Sequence, residues 1–370
     1  MKTIKLPFKL KKPMLACGAD MKGSFALAMG ETAYLEDGFG DLADPDNLSR
    51  YKDAVTALEN KLKLRPKLII CDLHPGYFST RFAENAQRTT RNSRLYKVQH
   101  HEAHVASAMT DNSIKASVIG VAFDGTGFGT DGKIWGGEFF VGSPKSFKRA
   151  AHLEYLPMPG ADAAIREPWR MAVSYLYRAF GDAFTARVKD ADKALFIKTM
   201  IDKGINSPLA SSAGRLFDAA ASLILGREKA AFEAELPMEL EKMAPKGYEE
   251  RYDFDLKDER GVSVLHAVKT VKGIVRDLSA GIDRRLVSGR FHNTVAEMIT
   301  RTASRLKKRC GIDRVVLSGG VFQNRYLTAK VTSTLTADGF KVYIHSRVST
   351  TDAGMPLGQI AIAQARLTCA

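Results

Sequence analysis

The sequence predicts an α/β fold with mixed sheets, built from one structural unit that occurs twice. Predicted strands alternate with predicted helices along most of the chain, which is typical of this fold class. An apolar strand that ends in a small-residue turn with a carboxylate occurs at 14–20 and again at 116–124, and further strand follows each copy. Two such units are the plan of a duplicated ribonuclease-H-like fold, so we expect each acidic turn to face a cleft between two lobes.

The elements of the first half follow from apolar runs and from the residues that interrupt them. Residues 24–29 and 32–35 alternate as further strand of the first repeat, around a turn at Gly30–Glu31. The remaining predicted elements are a helix at 51–64, a strand at 67–71, a strand at 95–99 and a helix at 102–110.

The second repeat continues through a glycine-rich turn at Gly125–Gly129 into a strand at 133–141. The segment from about 166 to 290 is rich in predicted helix and contains one hairpin, 251–256 with 262–264. The last predicted elements are a strand at 314–317, a helix from about Phe322, a strand at 341–345 and a helix at 357–367 that Pro356 precedes.

These elements divide the chain into four parts. Residues 1–13 are predicted to be a basic N-terminal extension, and 14–112 a first ribonuclease-H-like lobe. Residues 113–348 are predicted to form a second such lobe with a helical insertion at about 166–290. Residues 349–370 are predicted to be a loop with a metal ligand and a helix that packs back on the cleft.

Composition and cysteine usage indicate an ordinary globular protein. Apolar residues make up 45% of the chain and charged residues 26%. No apolar run approaches the roughly 18 residues of a membrane span, and the basic start lacks the apolar core of a signal peptide. The four cysteines form no Cys-x-x-Cys pair, which argues against a zinc ribbon or a disulfide framework. We expect Cys17 and Cys71 to be buried thiols in a reducing cytoplasm.

The formal net charge of +14 favours an acidic partner: nucleic acid, a nucleotide or an acidic protein. The alternative is that much of the charge lies on solvated helix surface. The basic run at 304–309 is an example, because the other face of its predicted helix is apolar. Charge alone does not separate these two interpretations.

The segment VQHHEAH at 98–104 offers two metal ligands. His100 and His104 are four residues apart, so on a helix both imidazoles leave the same face and can bind one divalent metal. Asp124 and Asp352 stand at turns or helix starts from which a side chain can reach a cleft. Two histidines with carboxylates suit iron(II) or zinc. The alternatives are histidines that only cap and hydrogen-bond the helix, and Asp352 as a helix N-cap.

Two glycine turns suggest a site for the phosphates of a nucleotide. The turn at Gly125–Gly129 follows a strand, and Gly319–Gly320 follows another strand and opens a helix. Absent side chains let a ligand approach the backbone, and a helix N-terminus favours anions. Asn324, in the first turn of that helix, is a candidate contact for a base or ribose. Asp218, at another helix start, has two interpretations, as an ordinary ion pair or as a cleft residue.

A series of short motifs is similar to a known family. The motifs are Ala16–Lys22, Asp72–Pro75, Ser79–Arg81, Val98–His104, Asp124–Glu138, Pro159–Ala172, Ser211–Ala219 and Ser318–Asn324. Together they resemble the carboxy-terminal half of HypF, the carbamoyltransferase of NiFe hydrogenase maturation. The resemblance extends from about Pro13 to the end of the chain.

The resemblance implies an actin-like (ASKHA) two-lobed fold, related to the TsaD/YgjD tRNA-modifying proteins. It also implies that His100, His104, Asp124 and Asp352 hold a divalent metal, iron or zinc, with the first three as catalytic residues. The residues that it implies for the nucleotide site are Gly125, Thr126, Gly127, Asp218, Gly319, Gly320 and Asn324.

The reaction that the resemblance implies uses ATP and passes through carbamoyl-adenylate. The carbamoyl group then moves to the C-terminal cysteine thiol of a partner, HypE, which dehydrates it to the cyanide ligand of the hydrogenase. Full-length HypF also has acylphosphatase, zinc-finger and YrdC-like domains without a counterpart in this sequence. A natural short form, a split system with a separate YrdC-like or acylphosphatase chain, and a piece of a longer protein are the alternatives.

Three positions depart from the family pattern. Glu102 stands where the family has a third histidine, and Thr351–Gly354 replaces Asn-Asp-Gly-Gly but keeps the aspartate. Phe232–Glu235 replaces Tyr-Glu-Gly-Gln. The lost glycine and the added carboxylate of this last segment are expected to crowd or repel a nucleotide.

Two other functions stay open. One is a TsaD-like transferase that acts on tRNA or a small molecule, and the other is a non-catalytic nucleotide-binding scaffold for maturation partners. The segments 166–170 and 318–324 match HypF better than the TsaD pattern, which disfavours nucleic acid as the partner.

Overall fold

Two mixed β-sheets form the cores of two lobes. The computed structural model describes residues 1–188 and 190–367. The first lobe contains β1 (Lys2–Ala16), β2 (Phe25–Glu36), α1 (Pro45–Leu62), β3 (Leu68–Asp72), α2 (Phe78–Thr89), β4 (Arg94–Val98) and α3 (His100–Asp111). Its sheet has the order β2-β1-β3-β4, in which β1 and β2 are antiparallel and the other neighbours are parallel.

The predicted basic extension over 1–13 is instead most of strand β1. Ile4, Leu6 and Leu10 are buried, whereas Lys5 and Lys9 are exposed. Lys5 and Lys9 therefore lie on the solvent face of a strand, in the two-residue period that a half-buried strand requires. The prediction of a separate tail was wrong because the charge count hid this alternation.

The second sheet repeats the plan of the first. Its strands are β5 (Val118–Phe128), β6 (Ile134–Ser143), β7 (Ser146–Leu153), β8 (Leu156–Pro157), β9 (Leu209–Ser212), β10 (Asp255–Glu259), β11 (Val262–His266), β12 (Arg314–Ser318) and β13 (Lys341–Tyr343). The main path is β10-β11-β7-β6-β5-β12-β13. The antiparallel pair β5–β6, followed by parallel β12 and β13, matches β1–β2 followed by β3 and β4. The predicted α/β class and duplicated plan are confirmed.

Most helices of the second lobe lie between β7 and β12, and the last of these crosses the predicted boundary at 290. Gly289 lies within that helix, and because a Cβ there would be 2.9 Å from the Tyr248 ring, the glycine permits close packing at this point. No helix among the described residues is long and apolar enough to cross a membrane. The helices are α4 (Ala163–Arg166), α5 (Trp169–Phe180), α6 (Ala191–Asp202), α7 (Ala213–Leu225), α8 (Glu235–Met243), α9 (Val268–Ser279), α10 (Arg284–Cys310), α11 (Arg325–Ala337) and α12 (Met355–Leu367), with 3₁₀ segments at Gly181–Arg187, Gly320–Gln323 and Asp352–Gly354.

Two predicted turns differ from the structure in their bounds. Instead of turning at Gly125–Gly129, strand β5 continues to Phe128, with a shift of register against β6 between Phe123 and Gly127. The hairpin β10–β11 begins later than predicted and closes through Arg260–Gly261, both at positive φ (50° and 84°). Such a pair of left-handed residues is what a two-residue hairpin turn needs.

The C-terminal helix α12 packs against the first lobe. Leu357 and Ile360 join the same buried apolar cluster as residues of β1. The Gln359 amide donates to the carbonyl of Gly18 and accepts from its N–H, both at 2.9 Å. Gly358 lets α12 lie directly on α3, because a Cβ there would overlap the α3 backbone. Residues 368–370 of the predicted C-terminal segment lie outside the described part of the chain.

Candidate metal centre and adjoining cleft

Helix α3 presents His100 and His104 on one buried face. Gln99 caps the helix, since its side-chain oxygen accepts a hydrogen bond from Glu102 N at 2.8 Å. Both imidazoles are buried, and their ring centres are 5.1 Å apart. The Glu102 carboxylate pairs with Arg366 of α12 and takes no part in the cluster. The spacing of four residues therefore places both rings close together on one side of the helix.

Asp124, in strand β5, brings one carboxylate to these rings. The Gly320 N–H donates to Asp124 Oδ1 at 2.8 Å. The other oxygen, Oδ2, lies 3.2 Å from His104 Nε2 and 3.4 Å from His100 Nε2. The hydrogen bond from Gly320 thus fixes the side chain with one oxygen directed at both imidazoles.

Asp352 brings the second carboxylate, from the 3₁₀ segment that precedes α12. Its Oδ1 lies 3.2 Å from His104 Nε2 and 3.6 Å from His100 Nε2. Thr351 rather than Asp352 caps this segment, because its hydroxyl accepts a hydrogen bond from Ala353 N at 3.4 Å. The Asp352 carboxylate is thereby available to the cluster.

These four side chains, His100, His104, Asp124 and Asp352, fit a divalent cation. One ligand atom of each lies within 4.8 Å of all the others. The distances between imidazole and carboxylate atoms, 3.2 to 3.6 Å, match the edge of a tetrahedron with bonds of about 2.1 Å, which is about 3.4 Å. Nitrogen and carboxylate oxygen donors suit zinc and iron(II) alike.

Opposite charges within the cluster control its titration. Burial alone would lower the pKa of His100, but the charges of Asp72 and Asp352 raise it well above its usual value. Burial would raise the pKa of Asp352, but the two imidazoles lower it to about 2. Burial also acts against ionisation of Asp124, yet His104 and His100 hold its pKa well below the usual range. Both carboxylates are therefore charged at neutral pH, as metal ligands require.

Asp72, the last residue of β3, supports His100 from behind. Its fully buried Oδ2 lies 2.8 Å from His100 Nδ1, and its Oδ1 accepts a hydrogen bond from His74 N at 2.8 Å. A carboxylate in this position fixes the orientation of a metal-binding imidazole and increases its basicity. In the sequence, Asp72 stands out only as part of a family motif. The available signal was an acidic residue at the end of a buried strand, the same signal that singled out Asp124.

The far end of α3 holds the loop that leads to Asp352. The buried Asp111 accepts hydrogen bonds from Ser346 N at 2.7 Å, from Arg347 N at 3.0 Å and from Arg347 Nε at 2.8 Å. Ser107 donates to a carbonyl of the following 3₁₀ segment at 2.6 Å. The helix that bears both imidazoles therefore also positions the second carboxylate.

A cleft of about 1360 Å³ opens beside the four-residue cluster. The second lobe lines most of it, and Met21 and Lys22 of the first lobe complete the wall. Typical small-molecule pockets have about 300–1,000 Å³, so the cleft has room for a nucleotide and part of a second substrate. The predicted site residues that line it are Asp124, Gly125, Thr126, Asp218, Gly320, Asn324 and Asp352.

Gly127 and Gly319, also predicted for the nucleotide site, are not among the lining residues. A Cβ on Gly127 would lie 2.5 Å from His101 and 2.6 Å from His100, so this glycine lets both rings pack against β5. Gly319 has a φ of 101°, and a Cβ there would lie 2.2 Å from the carbonyl oxygen of Phe123. Both glycines permit close packing behind the cluster.

Asn324 lines the cleft, but most of its amide is engaged within the protein. Its Oδ1 accepts a hydrogen bond from Leu327 N at 2.8 Å and caps α11. Its Nδ2 donates to His292 Nε2 at 2.9 Å, while His292 Nδ1 donates to the carbonyl of Ser288. Burial lowers the pKa of His292 to about 4, so this ring is neutral and accepts a hydrogen bond. One N–H of Asn324 is left for a ligand.

Glu235, the carboxylate that the family pattern lacks, is not among the residues that line the cleft. It pairs with Arg227 at 2.9 Å and begins helix α8, where negative charge is favourable. Ala234, at the position of the family's glycine, keeps a left-handed φ of 62°. The added charge is therefore neutralised outside the cleft, and the substitution of glycine costs roughly 1–2 kcal/mol of backbone strain.

The described cysteines are not part of the cleft. Cys17 and Cys71 are buried, as predicted, and burial raises the pKa of Cys71 to about 12. Cys310 is exposed at the end of α10. The fourth cysteine, Cys369, lies outside the described residues. The described part of the chain thus offers no cysteine nucleophile to the cleft.

Two family models match this chain. Residues 120–359 match the family described as "Carbamoyltransferase, Kae1-like Domain, second subdomain", and residues 9–111 match the family described as "HypF Kae1-like domain". The chain belongs to the HypF carbamoyltransferase family. The two HypF segments meet in the connection between α3, which carries the imidazoles, and β5, which carries Asp124.

Among curated HypF proteins, the "Carbamoyltransferase HypF homolog" of Cupriavidus necator is 34% identical, over 97% of this chain and 93% of that protein. The "Carbamoyltransferase HypF" of Synechocystis is 32% identical, over 96% of this chain and 48% of that protein. A crystal structure of full-length HypF, described as the phosphate- and nucleotide-bound form, matches with a TM-score of 0.92 and 36% identity, over 98% of this chain and 47% of that one. The chain thus spans about half the length of these last two proteins.

Proposed function

We propose that this chain is a metal- and nucleotide-dependent carbamoyltransferase of NiFe hydrogenase maturation. The donor would be carbamoyl-adenylate, and the acceptor the C-terminal cysteine thiol of a HypE-like protein. The observation that supports this most directly is the cluster of His100, His104, Asp124 and Asp352 beside a cleft large enough for a nucleotide. HypF relatives are named carbamoyltransferases, and a solved HypF is described as nucleotide-bound.

In this proposal the residues of the chain supply orientation and charge. Asp72 holds His100 in one ring orientation, and Gly320 holds Asp124 with one oxygen free. A zinc or iron ion held by the cluster would act as a Lewis acid toward the donor. The backbone at Gly125, which has no side chain, leaves space for a phosphoryl group to approach.

The acceptor thiolate would come from the partner. It would attack the carbamoyl carbon, the bond from that carbon to the phosphoryl oxygen would break, and AMP would leave. Holding the thiolate against the carbon would be the main contribution to the rate. Carbamoyl-adenylate would be supplied by a YrdC-like activity outside this sequence, in a separate chain or in a longer protein.

The test is a carbamoylation assay with the purified chain, preformed carbamoyl-adenylate and a HypE-like acceptor, read by the mass of the acceptor. We expect transfer by the wild type and loss of transfer in the His100→Ala, His104→Ala double variant. A matched control, His152→Ala with His266→Ala, removes two histidines outside the four-residue cluster and should keep full activity. No transfer by the wild type, or full transfer by the first double variant, would contradict the proposal.

The same preparation separates the two alternatives. A TsaD-like enzyme would bind tRNA with a steep dependence on salt, because phosphate contacts release counterions. A scaffold would bind the acceptor equally well with and without metal and would transfer nothing. The proposed transferase should bind tRNA only weakly and should lose transfer when a chelator removes the metal.

A further inference from the structure

Within the described part of the chain, a buried arginine in the cleft has no hydrogen-bond partner for most of its guanidinium. Arg215 lies in the first turn of α7, lines the cleft and is only 3% exposed. Among the described residues, neither its Nε nor its Nη1 has a hydrogen-bond acceptor. A buried donor without a partner costs about 1–3 kcal/mol, so such a group is expected to meet an acceptor when the protein works.

The neighbouring carboxylate does not satisfy this arginine. Arg215 Nε lies 2.8 Å from Asp218 Oδ2, but the N–H is not directed at that oxygen, which itself has no donor among the described residues. The contact is therefore an ion pair without a hydrogen bond. It explains why a cation can be buried here, but it leaves the donors of the planar guanidinium unused.

The guanidinium lies close to the candidate metal centre. A Cβ built on Gly125 would be 3.9 Å from Arg215 Nη2 and 3.5 Å from Glu233 Oε1. Gly125 directly follows Asp124, one of the four clustered residues. An anion bound over this glycine would therefore lie near the arginine, with Glu233 Oε1 at a similar distance, and next to the metal ligand in the chain.

Ser212 fixes this arrangement. Its hydroxyl accepts a hydrogen bond from Arg215 N at 3.1 Å, which caps α7, and it lies 3.1 Å from the carbonyl oxygen of Asp124. The first turn of α7 is thereby tied to strand β5 at the clustered aspartate. The positive end of a 13-residue helix adds to the attraction for an anion.

We propose that Arg215 binds a phosphoryl group of the nucleotide substrate, which would lie between its guanidinium and the backbone at Gly125–Thr126. This inference rests on the function proposed above. A planar guanidinium is the side chain best suited to a phosphoryl group, because its parallel donors match two oxygens. The alternative is that Arg215 serves only as an internal partner of Asp218.

The experiment compares the binding of adenosine, AMP and inorganic phosphate to the full chain by calorimetric titration. In Arg215→Gln we expect AMP and inorganic phosphate to bind about 10- to 100-fold more weakly, while adenosine binds as in the wild type. Arg215→Lys, which keeps the charge, should retain part of the affinity for AMP. The control Arg178→Gln removes an exposed arginine that pairs with Glu154 and should change nothing.

Two results would overturn the inference: AMP binding by Arg215→Gln that equals the wild type, or an equal loss of AMP and adenosine. If Arg215→Gln is too unstable, the double variant with Asp218→Asn also removes the lone carboxylate and is measured in the same way. Failure of the proposed function would give a different result. The wild-type chain would then transfer no carbamoyl group, but it would still bind AMP more tightly than adenosine, and Arg215→Gln would remove this difference in affinity.

Discussion

Replacing Asp72 with asparagine is expected to weaken metal binding while the chain stays folded. The buried carboxylate accepts hydrogen bonds from His100 Nδ1 and His74 N, each at 2.8 Å. Asparagine has the same shape, but it offers one oxygen in place of two. If that oxygen faces His74, an NH2 group faces His100 Nδ1, and the ring loses the acceptor that fixes its orientation.

The expected magnitude follows from this lost support. Removing a carboxylate behind a metal-binding imidazole costs about 10- to 100-fold in metal affinity, or about 1.4–2.7 kcal/mol. Asp72→Asn should therefore bind zinc about 10- to 100-fold more weakly than the wild type. In His100→Ala, the further change Asp72→Asn should have little effect, because Asp72 would act through that ring.

The assay is a competition titration with a chromophoric zinc chelator at constant pH, alongside thermal melting. The matched control is Asp277→Asn, which alters a buried aspartate bonded to Tyr252 and Arg290 that is not one of the four clustered residues. It should lower stability without changing zinc affinity. Equal zinc affinity in Asp72→Asn and the wild type would refute the reasoning, as would an equal loss in Asp277→Asn.

Three further predictions concern the supports of the site. Asp111→Ala should lower zinc affinity, measured by the same competition, because the loop that carries Asp352 loses its anchor; unchanged affinity would contradict this. Burial raises the pKa of Asp218 from 3.8 to about 6, so the protonated form stabilises the folded chain and this stability is lost as pH rises through that window. In urea unfolding, Asp218→Asn should therefore gain up to about 3 kcal/mol over the wild type between pH 4 and pH 7, and a constant difference would contradict the shift. Gly127→Ala should lower the melting temperature, because overpacking at this position costs about 1–3 kcal/mol. The control Gly125→Ala should not lower it, because a Cβ there would have only ordinary contacts of 3.5 Å or more. Equal melting temperatures of the two variants would contradict the prediction.

The parts of this site that the sequence predicted are local in the chain. The i, i+4 spacing of His100 and His104 determines a common helix face, and the repeated strand with its acidic turn indicated both Asp124 and the duplicated sheet. The role of each glycine was harder to predict, because the space left by the absent side chain can be filled either by a ligand or by a packed neighbour. Gly125 lines the cleft, whereas Gly127 makes room for two imidazoles.

The supporting contacts depend on pairing between distant segments, which a single sequence does not reveal. Asp72 reaches His100 because β3 and β4 are parallel neighbours, so that the end of one strand lies beside the helix that follows the other. Asp111 meets Arg347 although the two are 236 residues apart. For Arg215, as for Asp218, the sequence allowed an ordinary ion pair or a cleft residue, and what distinguishes Arg215 is its burial without hydrogen-bond partners among the described residues.

The central claim is that two imidazoles of α3 and two carboxylates hold one divalent metal beside the cleft. The most direct measurement is elemental analysis of the purified chain after loading with zinc or iron(II) and removal of free metal. The account predicts one metal per wild-type chain and none in a folded His100→Ala, His104→Ala variant. A wild-type chain that retains no metal, or a double variant that retains a full equivalent, would contradict it.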